Sequence, residues 1–268
     1  MKELLSILPP GIRKEVDKCD QHALQEIRLR LESPVELVTN QGSCWLTHRT
    51  SPEDINFCIN SVSRYSPWAA ATMAKGFLTA PGGHRVGLCG EAVVQNGTMT
   101  GIRTVTSACI RICHDISGIA KGIPIGSVII LGAPGWGKTT LLRDLIRHRS
   151  ECDPVAVVDE RGEVFPTGFS KGKRTDVMTG CSKSGGISMM IRTMSPKTIA
   201  VDEITEEADT KALLDAHGCG VSLLATAHAA SVEEFRRRLV YQPLILHKVF
   251  HWAAVLHPDK HWHLERMT

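Results

Sequence analysis

No run of residues in this chain approaches the roughly 18 uninterrupted apolar positions that a membrane-spanning helix needs, so no span of its own is expected. No secretory leader is expected either, because the opening MKELLSILPPGIRKEVDK has only a short apolar run before Pro9 and Pro10 break it. Paired cysteines are also missing. The nine cysteines (Cys19, Cys44, Cys58, Cys89, Cys109, Cys113, Cys152, Cys181 and Cys219) are odd in number, dispersed and without a CxxC pair. That argues against a disulfide framework and a zinc site, and leaves reduced thiols of a cytoplasmic protein as the expectation. Internal repeats and low-complexity segments are absent. So is a strong charge imbalance: the formal net charge is +3, short of what argues for nucleic acid by itself. The cluster Arg236, Arg237, Arg238 reads as a solvated helix face.

What is present describes a folded, two-part protein. Of 268 residues, 43% are hydrophobic and 22% charged, which suits a globular chain with room for two modest domains. After a short initial helix, Glu26 to Leu31 and Pro34 to Thr39 alternate as strands. Pro52 opens a helix running to about Tyr65, with Glu53 and Asp54 in its first turn. GHRVGLCGEAVV and TMTGIRTVTSACIRI flank Asn96-Gly97, a strong hairpin signal. This half, residues 1–116, predicts a small α+β domain with an antiparallel sheet.

The period then changes. Ser127 to Leu131, Pro154 to Asp159, Thr198 to Asp202 and Val221 to Thr226 are continuous apolar runs, as in buried parallel strands. Helical patterns follow at TTLLRDLIRHR, Gly186 to Met194 and Ile204 to His217. Residues 117–268 therefore predict an α/β domain with a parallel sheet covered on both faces. The boundary falls in the glycine- and proline-marked stretch from Ser117 to Pro124.

The chemistry lies at the ends of those strands. Gly132, Ala133, Pro134, Gly135, Trp136, Gly137, Lys138, Thr139 and Thr140 form a phosphate-binding loop between a buried strand and a helix. Its glycines let backbone N–H groups turn inward as an anion nest, and the helix adds its positive end. Lys138 supplies a charge for the β and γ phosphates of ATP, and the Thr139 hydroxyl a ligand for Mg²⁺. TIAVDE ends a strand on Asp202, which would hold Mg²⁺ through water, and on Glu203, a general base for the attacking water. AVVDERGE places Asp159 and Glu160 at a neighbouring strand end, where either could position the metal or the water. LLATAHA brings Thr226 and His228 to a further strand end, where His228 could sense the γ phosphate. Missing from this half is a cation for charge developing on that phosphate. Arg85, Arg103 and Arg111 of the first half are the arginines that a neighbouring copy could supply.

Taken together, the GHRVG and IRI pattern followed by GAPGWGKTT, VVDERGE, TIAVDE and LLATAHA resembles the ring ATPases of type II and type IV secretion and of type IV pili. More narrowly, EIRLRLESPVEL, FLTAPGGHRVGLCGEAV and MMIRTMSPKTIAVDEI resemble the sporulation stage III AA family, over nearly the whole chain. The resemblance implies a RecA-like P-loop ATPase domain behind a smaller α+β domain. It also implies a hexameric ring on the cytoplasmic face of a membrane complex of other stage III sporulation A proteins, in the mother cell facing the forespore. Asp159-Glu160, Asp202-Glu203 and His228 match the family's Asp, Walker B and His boxes. Arg85 and Arg111 match first-domain arginines that reach the nucleotide. The tetracysteine zinc insertion of some relatives is absent, so Mg²⁺ is the metal expected, and Trp136 is unusual within the loop. Two other readings stay open: a nucleotide-dependent scaffold with little turnover, and a P-loop ATPase dependent on single-stranded nucleic acid. Glu203 speaks against the first. Balanced charge and an ending at HLERMT without a binding module speak against the second, so no nucleic-acid partner is expected.

Overall fold

The computed structural model describes residues 2–20, 23–63, 76–95 and 97–267. They form two compact units, one of Met1–His114 with Pro166–Gly168, the other of Asp115–Phe165 and Phe169–Thr268. Among the described residues no helix is long and apolar enough to cross a membrane. All nine cysteines are free.

In the first unit, short helices α1 (Lys2–Ser6) and α2 (Pro10–Val16) precede a meander of β1 (Leu24–Arg30), β2 (Pro34–Thr39) and β3 (Gly42–Arg49). Helix α3 (Pro52–Ser63) follows, then β4 (Phe77–Thr79), β5 (Arg85–Gln95) and β6 (Thr98–Arg111). The six strands pair antiparallel in the order β3-β2-β1-β6-β5-β4. Period-two alternation turns Val35 and Leu37, Val86 and Leu88, and Ala108 and Ile110 into one core. In β1 a bulge between Leu24 and Glu26 resets the alternation, so that Leu24, Ile27 and Leu29 all face inward. Helix α3 covers that core with Ile55, Cys58 and Val62, one helical stripe. Its start is fixed reciprocally: Ser51 N–H donates to Asp54 Oδ2 (2.9 Å) and Asp54 N–H to Ser51 Oγ (3.2 Å). The predicted end near Tyr65 lies outside the described residues. So does Asn96, although Gln95 pairs with Thr98 around it and Gly97 has the positive φ (75°) of a tight hairpin turn.

The second unit contains β7 (Val128–Leu131), α4 (Lys138–Ser150), β8 (Val155–Asp159), β9 (Thr175–Thr179), α5 (Lys183–Met194) and β10 (Thr198–Val201). Then come α6 (Glu207–Gly218), β11 (Ser222–Ala227), α7 (Val232–Arg237), α8 (Gln242–Leu246), β12 (Trp252–Leu256) and β13 (Trp262–Arg266). The sheet runs β13-β12-β7-β11-β10-β8-β9, parallel throughout except for β13. Its central strands are apolar at nearly every position because both faces are buried, with Asp159, Thr198, Ser222 and Thr226 as exceptions at or near the strand ends. Val128 and Ile130 pack with Leu141, Leu142 and Leu145 of α4, whereas Ile129 and Leu131 join Ile187, Leu213 and Phe235 on the other face. Register levels the strand ends. Val201 pairs with both Val158 and Ala225, and Leu131 with both Ala227 and Val255. Gly132, Asp159, Asp202 and His228 therefore emerge at one edge of the sheet, the edge where open α/β sheets bind ligands.

Candidate functional site

The loop from Gly132 to Gly137 joins β7 to α4. Gly135 (φ 79°) and Gly137 (φ 101°) adopt the left-handed conformation that side chains disfavour, yet a Cβ on either would touch nothing within 4 Å. Their requirement is conformational, and the space beside them is open. Gly132 is constrained by packing instead: a Cβ there would lie 3.1 Å from Leu256 Cβ. Ala133 and Pro134 continue the turn, with Trp136 N–H donating to Ala133 O (3.3 Å), and Trp136 packs partly buried against the α4-side core. Gly137 is the N-cap of α4 and offers no side chain to its first turn, where Thr139 and Thr140 lie. The amides of that turn are left for an anion.

Lys138 stands at the first position of α4, where the helix dipole disfavours a cation by some tenths of a kcal/mol. Other partners hold it: Nζ donates to Gly132 O (2.9 Å) and Ala133 O (3.1 Å) and lies 3.0 Å from His228 Nδ1. Burial pushes its pKa down, and Asp202 and Glu203 oppose that shift. An ammonium only donates, so His228 Nδ1 accepts and Nε2 carries the proton. Nε2 lies 2.9 Å from Glu203 Oε1. Lysine, imidazole and carboxylate thus form one donor chain.

A second chain fixes Asp202. Thr139 Oγ1 donates to Asp202 Oδ2 (2.8 Å) and Thr226 Oγ1 to Asp202 Oδ1 (2.7 Å). Thr226 Oγ1 in turn accepts the Glu203 N–H (2.8 Å). Glu203 adopts a positive φ of 51°, uncommon outside glycine, which turns the chain sharply after β10. The Thr139 hydroxyl and the Asp202 carboxylate are adjacent hard oxygens of the kind Mg²⁺ takes beside phosphate and water, so the donor set fits that ion.

At the end of β8 the two carboxylates separate. Asp159 is buried, and its oxygens accept from three amides: Glu163 (2.9 Å), Val164 (2.9 Å) and Phe165 (3.3 Å). This geometry supports anchoring of the following loop over the metal-binding role expected from the sequence. Glu160 points elsewhere, with Oε2 2.9 Å from Lys183 Nζ. Lys183 Nζ also reaches Asp209 Oδ2 at 3.4 Å. Burial works against the Lys183 charge, but Glu160 and Asp209 outweigh it and raise the pKa. Sequence reasoning passed over Lys183 and Asp209. The signal was a lysine directly after the N-cap Ser182 of α5, again at the helix end that disfavours a cation.

The remaining predicted residues belong to the first unit. Arg85 and Arg111 are register partners on β5 and β6, and both are exposed. Arg85 lies 4.1 Å over the Phe77 ring, and Arg111 Nε lies 3.6 Å from Glu26 Oε1. Two like charges sit side by side on one sheet face, each steadied by a neighbour.

Comparisons with known proteins place the chain by family and by fold. The family model described as sporulation stage III, protein AA, matches residues 1–263. Stage III sporulation protein AA of Bacillus subtilis (strain 168) is 35% identical over 260 residues, covering 89% of this chain and 85% of that protein. The solved structure of the pilus retraction motor PilT with bound ADP superposes with a TM-score of 0.65 at 16% identity, over 94% of this chain and 77% of that one. That of the Legionella pneumophila ATPase DotB gives 0.61 at 17%, over 97% and 80%. The structural likeness shows a shared RecA-like fold of the secretion ATPases. The sequence likeness goes further, and the chain belongs to the sporulation stage III protein AA family.

Proposed function

We propose that this chain hydrolyses ATP at the edge formed by β7, β8, β10 and β11, as a ring ATPase of the secretion type. The observation that carries this reading is the pair of hydrogen-bonded chains joining Lys138 to Glu203 through His228, and Thr139 to Thr226 through Asp202. These chains bring Lys138, Thr139, Asp202, Glu203 and His228 together at one edge, an arrangement that supports phosphoryl transfer there once a neighbour supplies the missing cation. The loop amides and Lys138 take the phosphates, Lys138 exchanging its carbonyl and imidazole partners for phosphate oxygens. Thr139 and Asp202 would hold Mg²⁺, which neutralises phosphate charge when bound. Water attacks the γ phosphorus as the bond to the β,γ-bridging oxygen breaks, and its proton passes to Glu203; ADP and phosphate leave. His228 loses its lysine partner on nucleotide binding and passes that change to Glu203.

The same reading extends to the assembly. Copies form a ring, hexameric as in the secretion ATPases, in which Arg85 and Arg111 are supplied to a neighbour's nucleotide. The ring works at the cytoplasmic face of a membrane channel complex of other stage III sporulation A proteins, energising or assembling it. Titration with a fluorescent ATP analogue tests the nucleotide site. Lys138→Ala should lose binding, since a charge-assisted contact to phosphate contributes about 1.5–3 kcal/mol or more. Unchanged affinity would remove the basis of this reading.

A further inference from the structure

Between the ends of β8 and β10 lies a polar cavity of about 30 Å³, lined by Asp159, Glu160, Lys183, Asp202, Glu203 and Thr205 among others. That is room for a water molecule or two. Glu160 and Glu203 line the same small volume, and two like charges there repel unless a cation stands among them. Lys183 is the buried cation among them. One of its contacts is Glu160 Oε2 (2.9 Å); the other is Asp209 Oδ2 (3.4 Å). The same Asp209 oxygen accepts from Thr205 N–H (3.0 Å), Thr205 Oγ1 (3.2 Å) and Glu206 N–H (3.4 Å), so it holds the turn directly after Glu203. The lysine opens α5, where it opposes the helix dipole; what it gains is the pairing with two carboxylates.

We infer that Lys183 is a positioning residue for the hydrolysis proposed above: its ammonium fixes Glu160 and the Thr205–Glu206 turn around the chamber that holds the attacking water. It touches neither nucleotide nor water itself. It keeps Glu160 aimed, so that Glu160 orients the water while Glu203 accepts its proton. Misplacement of a reacting group by about 1 Å costs on the order of 10²-fold in rate, and that is the scale expected here.

The inference rests on the ATP-hydrolysis reading, and the experiment separates the two. Phosphate release and affinity for a fluorescent ATP analogue are measured on the full chain, Lys183→Met, Lys183→Arg, Glu160→Gln and the Lys183→Met/Glu160→Gln double variant. Lys183→Met should lower kcat about 10²-fold with affinity within about twofold of the parent. Lys183→Arg should recover most of that loss, and the double variant should be no slower than Glu160→Gln. Should the methionine variant not fold, Lys183→Gln, which keeps a donor without the charge, should show the same fall in kcat. Parent-like turnover in the uncharged variants would overturn the inference. So would an equal further loss in the Glu160→Gln background, or joint loss of affinity and turnover without rescue by arginine. A parent that releases no phosphate overturns the hydrolysis reading itself, and this inference with it.

Discussion

Lys138 and Lys183 each open a helix at the end where a cation is disfavoured, and each is held there by groups drawn from other strand ends. The first was legible in the sequence because glycines at fixed spacing surround it. The second was not, because SKSGG reads as a loop and its partners, Glu160 and Asp209, lie 23 and 26 positions away along the chain. Asp202, Glu203 and His228 were legible as polar residues ending apolar runs; their hydrogen-bonded order was not. His84 offers a test at the same scale. It is buried, its Nδ1 accepts from Cys113 N–H (3.1 Å) and its Nε2 has no partner among the described residues. Burial holds its pKa down at about 4, below the ordinary 6.5. The unfolded chain therefore takes up this proton first on acidification. Stability associated with neutral His84 is complete above about pH 6.5 and falls as pH drops towards 4, by about 3 kcal/mol. Urea unfolding between pH 7 and 4 should show this slope, and His84→Asn, which keeps an acceptor for Cys113, should flatten it. An equal slope in both proteins would rule out His84 as its source.

At the scale of elements, strands buried on both faces declared themselves as apolar runs, and those with one buried face as alternation. The strands that escaped sequence reading are β3, β4, β9, β12 and β13. Four of these, β3, β4, β9 and β13, are the edge strands of the two sheets among the described residues, where exposure blurs the pattern, and β3 even exposes Trp45. Strand β12 is buried, but WAAVL is short and alanine-rich, so β propensity is weak. The loop after β8 also hid its purpose, because an aspartate capping three amides looks in sequence like any strand-end carboxylate. Asp159→Ala should leave those amides without their acceptor and lower stability by about 1.5–3 kcal/mol in urea unfolding. Mg²⁺-dependent nucleotide affinity should fall less than in Asp202→Ala. Unchanged stability with lost Mg²⁺ dependence would return Asp159 to the metal.

For the whole molecule, the two units divide the chemistry. The second carries the proposed nucleotide edge; the first carries Arg85 and Arg111 as register partners on neighbouring strands. Supply of an arginine from one copy to another contributes about 10³–10⁵ in rate in related phosphoryl-transfer systems. Arg85→Ala should therefore lose turnover and keep affinity, and mixing it with Lys138→Ala should restore some phosphate release, because mixed rings contain some complete sites. Light scattering with ATP should show that the mixed assemblies form; formed assemblies without recovery would make the arginines structural. The central claim, that this edge hydrolyses ATP with Glu203 as base, is tested most directly by phosphate release from the parent and Glu203→Gln, with nucleotide affinity measured on both. The account predicts measurable release by the parent, equal affinity, and a rate about 10²–10⁴-fold lower in the glutamine variant. A parent that binds ATP and releases nothing, or a Glu203→Gln variant that keeps the parent's rate, would contradict it.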